Sequence, residues 1–115
     1  MLELLGTVDA AELPGGEIVV SARGPIDERV ATSFRNTLVP FTGHDGTPLF
    51  LDLGAAHGLD AAAMGVIADA ARLLGDRGSR LGIVTRSPIV LTLIKESGLD
   101  GMVDIAPTLA EAMAR

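Results

Sequence analysis

The stretch Leu49-Phe50-Leu51-Asp52-Leu53 decides the fold. It is nearly continuous in apolar residues, which is the pattern of a strand covered on both faces, and such strands belong to sheets with helices laid against them. It therefore reads as the central strand of an α/β domain. Pro40 to Pro48, just before it, is a polar, glycine-containing loop. Gly54 to Leu59, just after it, reads as a connecting loop, and Asp60 stands where an N-cap belongs for a helix running to about Asp76. In that helix Met64, Ile67, Ala68, Ala71 and Leu74 form a core stripe, and Val66, Ala70 and Leu73 form a second apolar edge, so a broadly buried helix is expected.

Towards the N-terminus, Leu2 to Val8 reads as a strand, Leu13-Pro14-Gly15-Gly16 as a turn, and Glu17 to Arg23 as the adjacent strand. Gly24-Pro25-Ile26-Asp27 breaks the pattern, and Val30, Ala31, Phe34 and Leu38 recur at helical spacing behind Asp27, a good N-cap. Towards the C-terminus, Gly78 ends the second helix, Leu81 to Val84 is a short buried strand, and Ser87-Pro88 is an N-cap followed by proline at the first helical position. That third helix should stop at Gly98 in a left-handed conformation, with Leu99 against Ile94 and Lys95 near the negative end of the dipole. Met102 to Ile105 reads as a last strand, and Pro107 opens a terminal helix through Ala114. The expectation is one α/β domain over residues 1–115, with a mixed sheet of about four to five strands and helices mainly on one face.

Composition narrows the function. Hydrophobic residues make up 48% of the chain, yet only Phe34, Phe41 and Phe50 are aromatic, so the core must be built from aliphatic side chains. A net charge of −6 with no Trp or Tyr argues against nucleic acid, which needs a basic track and rings to stack on bases. No cysteine is present, which removes disulfides and thiol chemistry and fits a reducing cytoplasm. The apolar runs are too short and too often broken by charge to span a bilayer, and Met1-Leu2-Glu3-Leu4-Leu5-Gly6 has no basic leader, so the chain is expected in the cytoplasm. His44 and His57 lie in separate loops without companions at ligand spacing, so no metal site is expected. No nucleophile elbow, phosphate loop or dinucleotide fingerprint occurs, so neither an enzyme nor a cofactor is expected.

With these elements in order, the chain resembles the STAS domain shared by sulphate transporters and bacterial anti-sigma factor antagonists. Family members carry a Gly-Glu-Leu-Asp element before the first helix, where this chain has Gly24-Pro25-Ile26-Asp27. They carry a strand ending in Leu-Asp-Leu, here Leu51-Asp52-Leu53, and then an Asp-Ser-Ser-Gly-Leu-Gly element opening the second helix. Here that element reads Asp60-Ala61-Ala62-Ala63-Met64-Gly65: both hydroxyls and the first glycine are replaced. The stretch Leu81 to Leu99 is also similar to the family's usual ending.

The resemblance implies a regulatory protein that binds an anti-sigma factor acting also as a serine kinase, with Asp27, Asp60, Ala61, Ala62, Ala63 and Met64 at the partner surface. The family's phosphoryl acceptor, the second hydroxyl, aligns with Ala62, and alanine has no oxygen to receive phosphate. The usual switch is therefore expected to be absent. Asp60 reads first as a plain helix cap and Asp27 as either a cap or a contact, and the roles are compatible because a cap also fixes the loop that a partner reads. Two alternatives stand beside this reading. One is a non-phosphorylatable scaffold subunit, as resembling domains are in stressosomes or lipid-transport assemblies. The other is a nucleotide-binding module at the second helix start, disfavoured because Asp60 already neutralises that end. A homodimer stays open.

Overall fold

The structure, a computed structural model, describes residues 5–43 and 46–114. Its elements are β1 (Thr7–Glu12), β2 (Ile18–Ile26), α1 (Glu28–Leu38), a 3-10 turn (Val39–Gly43), β3 (Leu49–Asp52), β4 (Ala56–Leu59), α2 (Ala61–Asp76), β5 (Leu81–Val84), α3 (Pro88–Glu96), β6 (Val103–Ala106) and α4 (Leu109–Met113). Five strands run in the order β1-β2-β3-β5-β6, and β4 pairs with β2 off this path. β1 is antiparallel to β2, and every other pairing is parallel.

Leu49-Phe50-Leu51 is buried in the middle of the sheet, as its apolar run predicts. The alternation of strand side chains separates two faces. Val20, Leu51, Ile83 and Val103 join one core with Phe34 of α1, Ile67 of α2 and Ile94 of α3. Phe50, Gly82 and Ala106 point the other way, where Ala112 of the short α4 lies beside them around a cleft of about 400 Å³. Three helices on one face and one short helix on the other match the expected layering. Phe50 and Gly82 are cross-strand partners, and a Cβ on Gly82 would lie 2.6 Å from Phe50 Cδ1. The glycine is what lets that ring lie flat on the strand.

The helix boundaries agree closely with the sequence reading. Asp27, Asp60 and Ser87 are the N-caps of α1, α2 and α3, each accepting a hydrogen bond from a backbone N–H in its own first turn. α2 is broadly buried, with Val66 and Ala70 inside, but Leu73 of the expected second edge is exposed. α3 ends at Gly98, φ +77, where Leu99 N donates to Ile94 O at 3.2 Å and Gly98 N to Lys95 O at 3.1 Å, a Schellman turn that closes Leu99 onto Ile94.

Several expectations need correction. β2 runs on through Gly24-Pro25-Ile26, expected to break the strand. The sheet has six strands rather than four to five, because Ala56-His57-Gly58-Leu59, expected to be loop, pairs with Gly24, Pro25 and Ile26 at the far end of β2. Its residues have little strand propensity; the extended form comes from the partner backbone. The first strand is Thr7–Glu12 and not Leu2 to Val8, whose first three residues lie outside the described ones. Only Val8 of β1 packs on the core, so an edge strand forms here from residues with no apolar alternation. The last helix starts at Leu109 behind a Thr108 cap, after Pro107 rather than at it. Among the described residues, no helix is long and apolar enough to cross a membrane.

Candidate functional site

Where parallel strands lead into helices, the helix starts gather at the carboxyl ends of the strands, where ligands and partners of α/β folds are commonly met. β2 leads into α1, β4 into α2 and β5 into α3. The pairing of Ile26 with Leu59 brings the caps of α1 and α2, Asp27 and Asp60, to adjacent places at this edge.

Asp27 serves its own helix. Its Oδ1 accepts from Arg29 N at 3.0 Å, and its Oδ2 accepts from Arg29 Nη2 at 2.8 Å. The Arg29 guanidinium, more than any other group, holds the Asp27 carboxyl below the usual aspartate range.

Asp60 serves two helices. Its Oδ1 accepts from Ala63 N at 2.9 Å, capping α2, and its Oδ2 accepts from Glu28 N at 2.9 Å, the first residue of α1. Its own N–H donates to Ile26 O at 3.2 Å. The N–H of a first helical residue has no partner within its helix, and here a carboxylate 32 residues away supplies one.

The other residues expected at this surface divide by exposure. Ala61 and Ala62 are exposed, so two methyl groups face solvent in the first turn of α2, and Met64 is half-buried against the core. Ala63 is fully buried at 0%; it supports the surface from beneath. Sequence reasoning missed Arg29 and Glu28, which touch the two aspartates. Arg29 next to a cap offers only a faint signal, and the Glu28 bond offers none, since it exists only once β4 has joined β2. Between the same helices, Arg35 of α1 pairs with Asp69 of α2 at 2.8 Å, and Arg72 also bonds Asp69. Arg35 first, and then Arg72, holds the Asp69 carboxyl low.

His57 is exposed on β4 and His44 lies outside the described residues. Among the described residues, no group of three or more His, Cys, Asp or Glu could hold a metal ion.

No curated protein matches the chain. Solved structures do. An anti-sigma factor antagonist from Mycobacterium paratuberculosis superposes with a TM-score of 0.83 at 26% identity, covering 96% of this chain and 92% of the other. The Bacillus cell fate determinant SpoIIAA in its phosphorylated form gives a TM-score of 0.74 at 17% identity over 95% and 98% of the two chains. The anti-sigma factor antagonist SpoIIAA in its unphosphorylated form gives 0.73 at 13% over 94% of each. The last two likenesses establish the fold. The model of the STAS domain family matches residues 8–112, a span that runs from β1 to α4 and takes in both capped helix starts; the chain belongs to the STAS domain family.

Proposed function

We propose that this STAS domain is a cytoplasmic anti-sigma factor antagonist that binds an anti-sigma factor with serine-kinase activity, and that phosphorylation at the usual position does not switch it. The contact surface is the carboxyl edge of the sheet: Asp27, Asp60, Ala61, Ala62 and Met64, with Ala63 beneath them. The observation that carries the reading is the exposed Ala61–Ala62 step at a rigidly capped helix start, in a fold that matches an anti-sigma factor antagonist over 96% of the chain. STAS domains of this type are typically regulatory rather than enzymatic, in keeping with the absence of catalytic motifs from the sequence.

Because residues 59–65 contain no hydroxyl, the kinase finds no acceptor there. Binding by this chain would then not be switched by phosphate at this helix start.

Titration calorimetry against the partner recovered from the native host tests the proposal. Ala62→Glu should leave the fold intact, since a negative charge in a helix first turn favours the helix by about 0.3–1 kcal/mol. At a docked apolar surface the same carboxylate must be desolvated without a counter-charge, and mismatches of this kind cost about 2–5 kcal/mol, a loss of tenfold or much more in affinity. Equal affinity for wild type and Ala62→Glu, with unchanged circular dichroism, would remove Ala62 from the interface and favour a scaffold role.

A further inference from the structure

Asp27 and Asp60 look equivalent in sequence, each an aspartate before a helix, but their bonding separates them. Asp27 spends both oxygens on Arg29, two residues along. Asp60 spends one oxygen on the third residue of α2 and the other on the first residue of α1. We propose that Asp60 is a positioning residue: its single carboxylate ties the first turn of α1 to the first turn of α2, so that the Asp27–Arg29 corner and the Ala61–Ala62 step reach a partner as one rigid body.

Two further observations support this role. The Arg35–Asp69 ion pair joins the same helices farther along, so the Asp60 carboxylate adds a second side-chain tie between them, at their first turns. The N–H of Asp60 also bonds Ile26 O, which anchors the carboxylate to the strand that feeds α1. Both oxygens of the exposed Asp60 thus accept from backbone donors. Beyond its own place on the contact surface, it acts on a partner through the two helix starts.

The chemistry offers a variant that splits the two bonds. Asn caps a helix as well as Asp does, but its carboxamide has one acceptor oxygen and one donor NH2 group. In Asp60→Asn the oxygen keeps the Ala63 bond, and the NH2 is left facing the Glu28 N–H, donor against donor. Amide hydrogen exchange by NMR on the intact chain reads this directly, because the Glu28 N–H has no intrahelical partner and owes its protection to Asp60. Asp60→Asn should speed Glu28 exchange about tenfold or more, as expected for losing one charge-assisted bond, while Ala63 keeps its protection. Asp27→Asn, which leaves Asp60 untouched, should leave Glu28 protected. Unchanged Glu28 exchange in Asp60→Asn, or loss of Glu28 protection in Asp27→Asn, overturns the tie.

The partner half of the proposal rests on the function proposed above and has its own readout. Asp60→Asn should bind the recovered partner about tenfold more weakly, in step with the loosened amide. A loosened Glu28 with wild-type affinity overturns the positioning role. A wild-type chain that binds no anti-sigma factor overturns the proposed function and leaves the exchange result standing.

Discussion

The first turns of α2 and α3 begin alike and are secured differently. At α3 everything is local: Ser87 Oγ accepts from Val90 N at 3.2 Å, Ser87 N donates to Thr85 Oγ1 at 3.1 Å, and Pro88 removes a donor that would otherwise lack a partner. All of this lies between Thr85 and Val90. At α2 the Asp60 carboxylate bonds one residue nearby and one 32 positions earlier. The α3 start could be transplanted with its own segment. The α2 start exists only in the assembled fold, and it is the one that carries the candidate surface.

The largest effect expected from this contrast is on stability when each cap is cut. Asp60→Ala removes a cap and a second bond from a charged acceptor and should cost about 2 kcal/mol or somewhat more, whereas Ser87→Ala should cost about 1 kcal/mol, the ordinary value of a cap. Urea denaturation of both variants compares them on one scale. Equal costs would mean that the Asp60–Glu28 bond contributes nothing in solution and that the two helix starts are equivalent after all.

The opposite end of α3 extends the local rule. Gly98 sits at φ +77 with open space where a Cβ would go, so a side chain there meets no neighbour and the penalty is purely conformational. Gly98→Val should cost about 1–2 kcal/mol, the price of left-handed backbone for a residue with a Cβ, worst when it is β-branched. A denaturation midpoint equal to that of wild type would show that α3 does not depend on this turn.

The smallest effect is on the pH dependence of stability. Arg29 lowers the native pKa of Asp27, and Arg35 and Arg72 lower that of Asp69. A carboxyl with a depressed native pKa contributes stability above its unfolded pKa of about 4 and loses it as pH falls through the native value. Both groups are only half-buried and remain open to solvent screening, so the contribution is modest. Denaturation midpoints should hold steady above about pH 4 and decline below it, and Arg29→Met should flatten the part of the decline that belongs to Asp27. An identical pH profile in Arg29→Met would show that the Asp27–Arg29 pair does not persist in solution, leaving Asp60 as the sole organiser of this corner.

What was legible in the sequence follows the same division. The central strand at Leu49 to Leu53 was readable because burial on both faces demands an unbroken apolar run. The three N-caps and the Gly98 turn were readable because each satisfies its helix end with residues a few positions away. β4 is not, since nothing in Ala56-His57-Gly58-Leu59 favours a strand, and the extension of β1 to Glu12 is not, because Asp9, Ala10, Ala11 and Glu12 show no alternation. Both strands are extended because a neighbouring backbone offers hydrogen bonds, and that offer is invisible in their own side chains.

The sequence by itself determined the α/β class, the order of the main elements, the aliphatic core, and the lack of any hydroxyl from Leu59 to Gly65. These depend on side-chain type, on periodicity and on contacts close along the chain. Only the tertiary structure decided that Asp27 and Asp60 have different duties, that Ala63 is buried while Ala61 and Ala62 are exposed, and that α1 and α2 begin as a joined pair. The reason is physical: the bond from Glu28 to Asp60 needs the pairing of Ile26 with Leu59 to bring donor and acceptor together, and pairing between distant strands follows from the packing of the whole sheet.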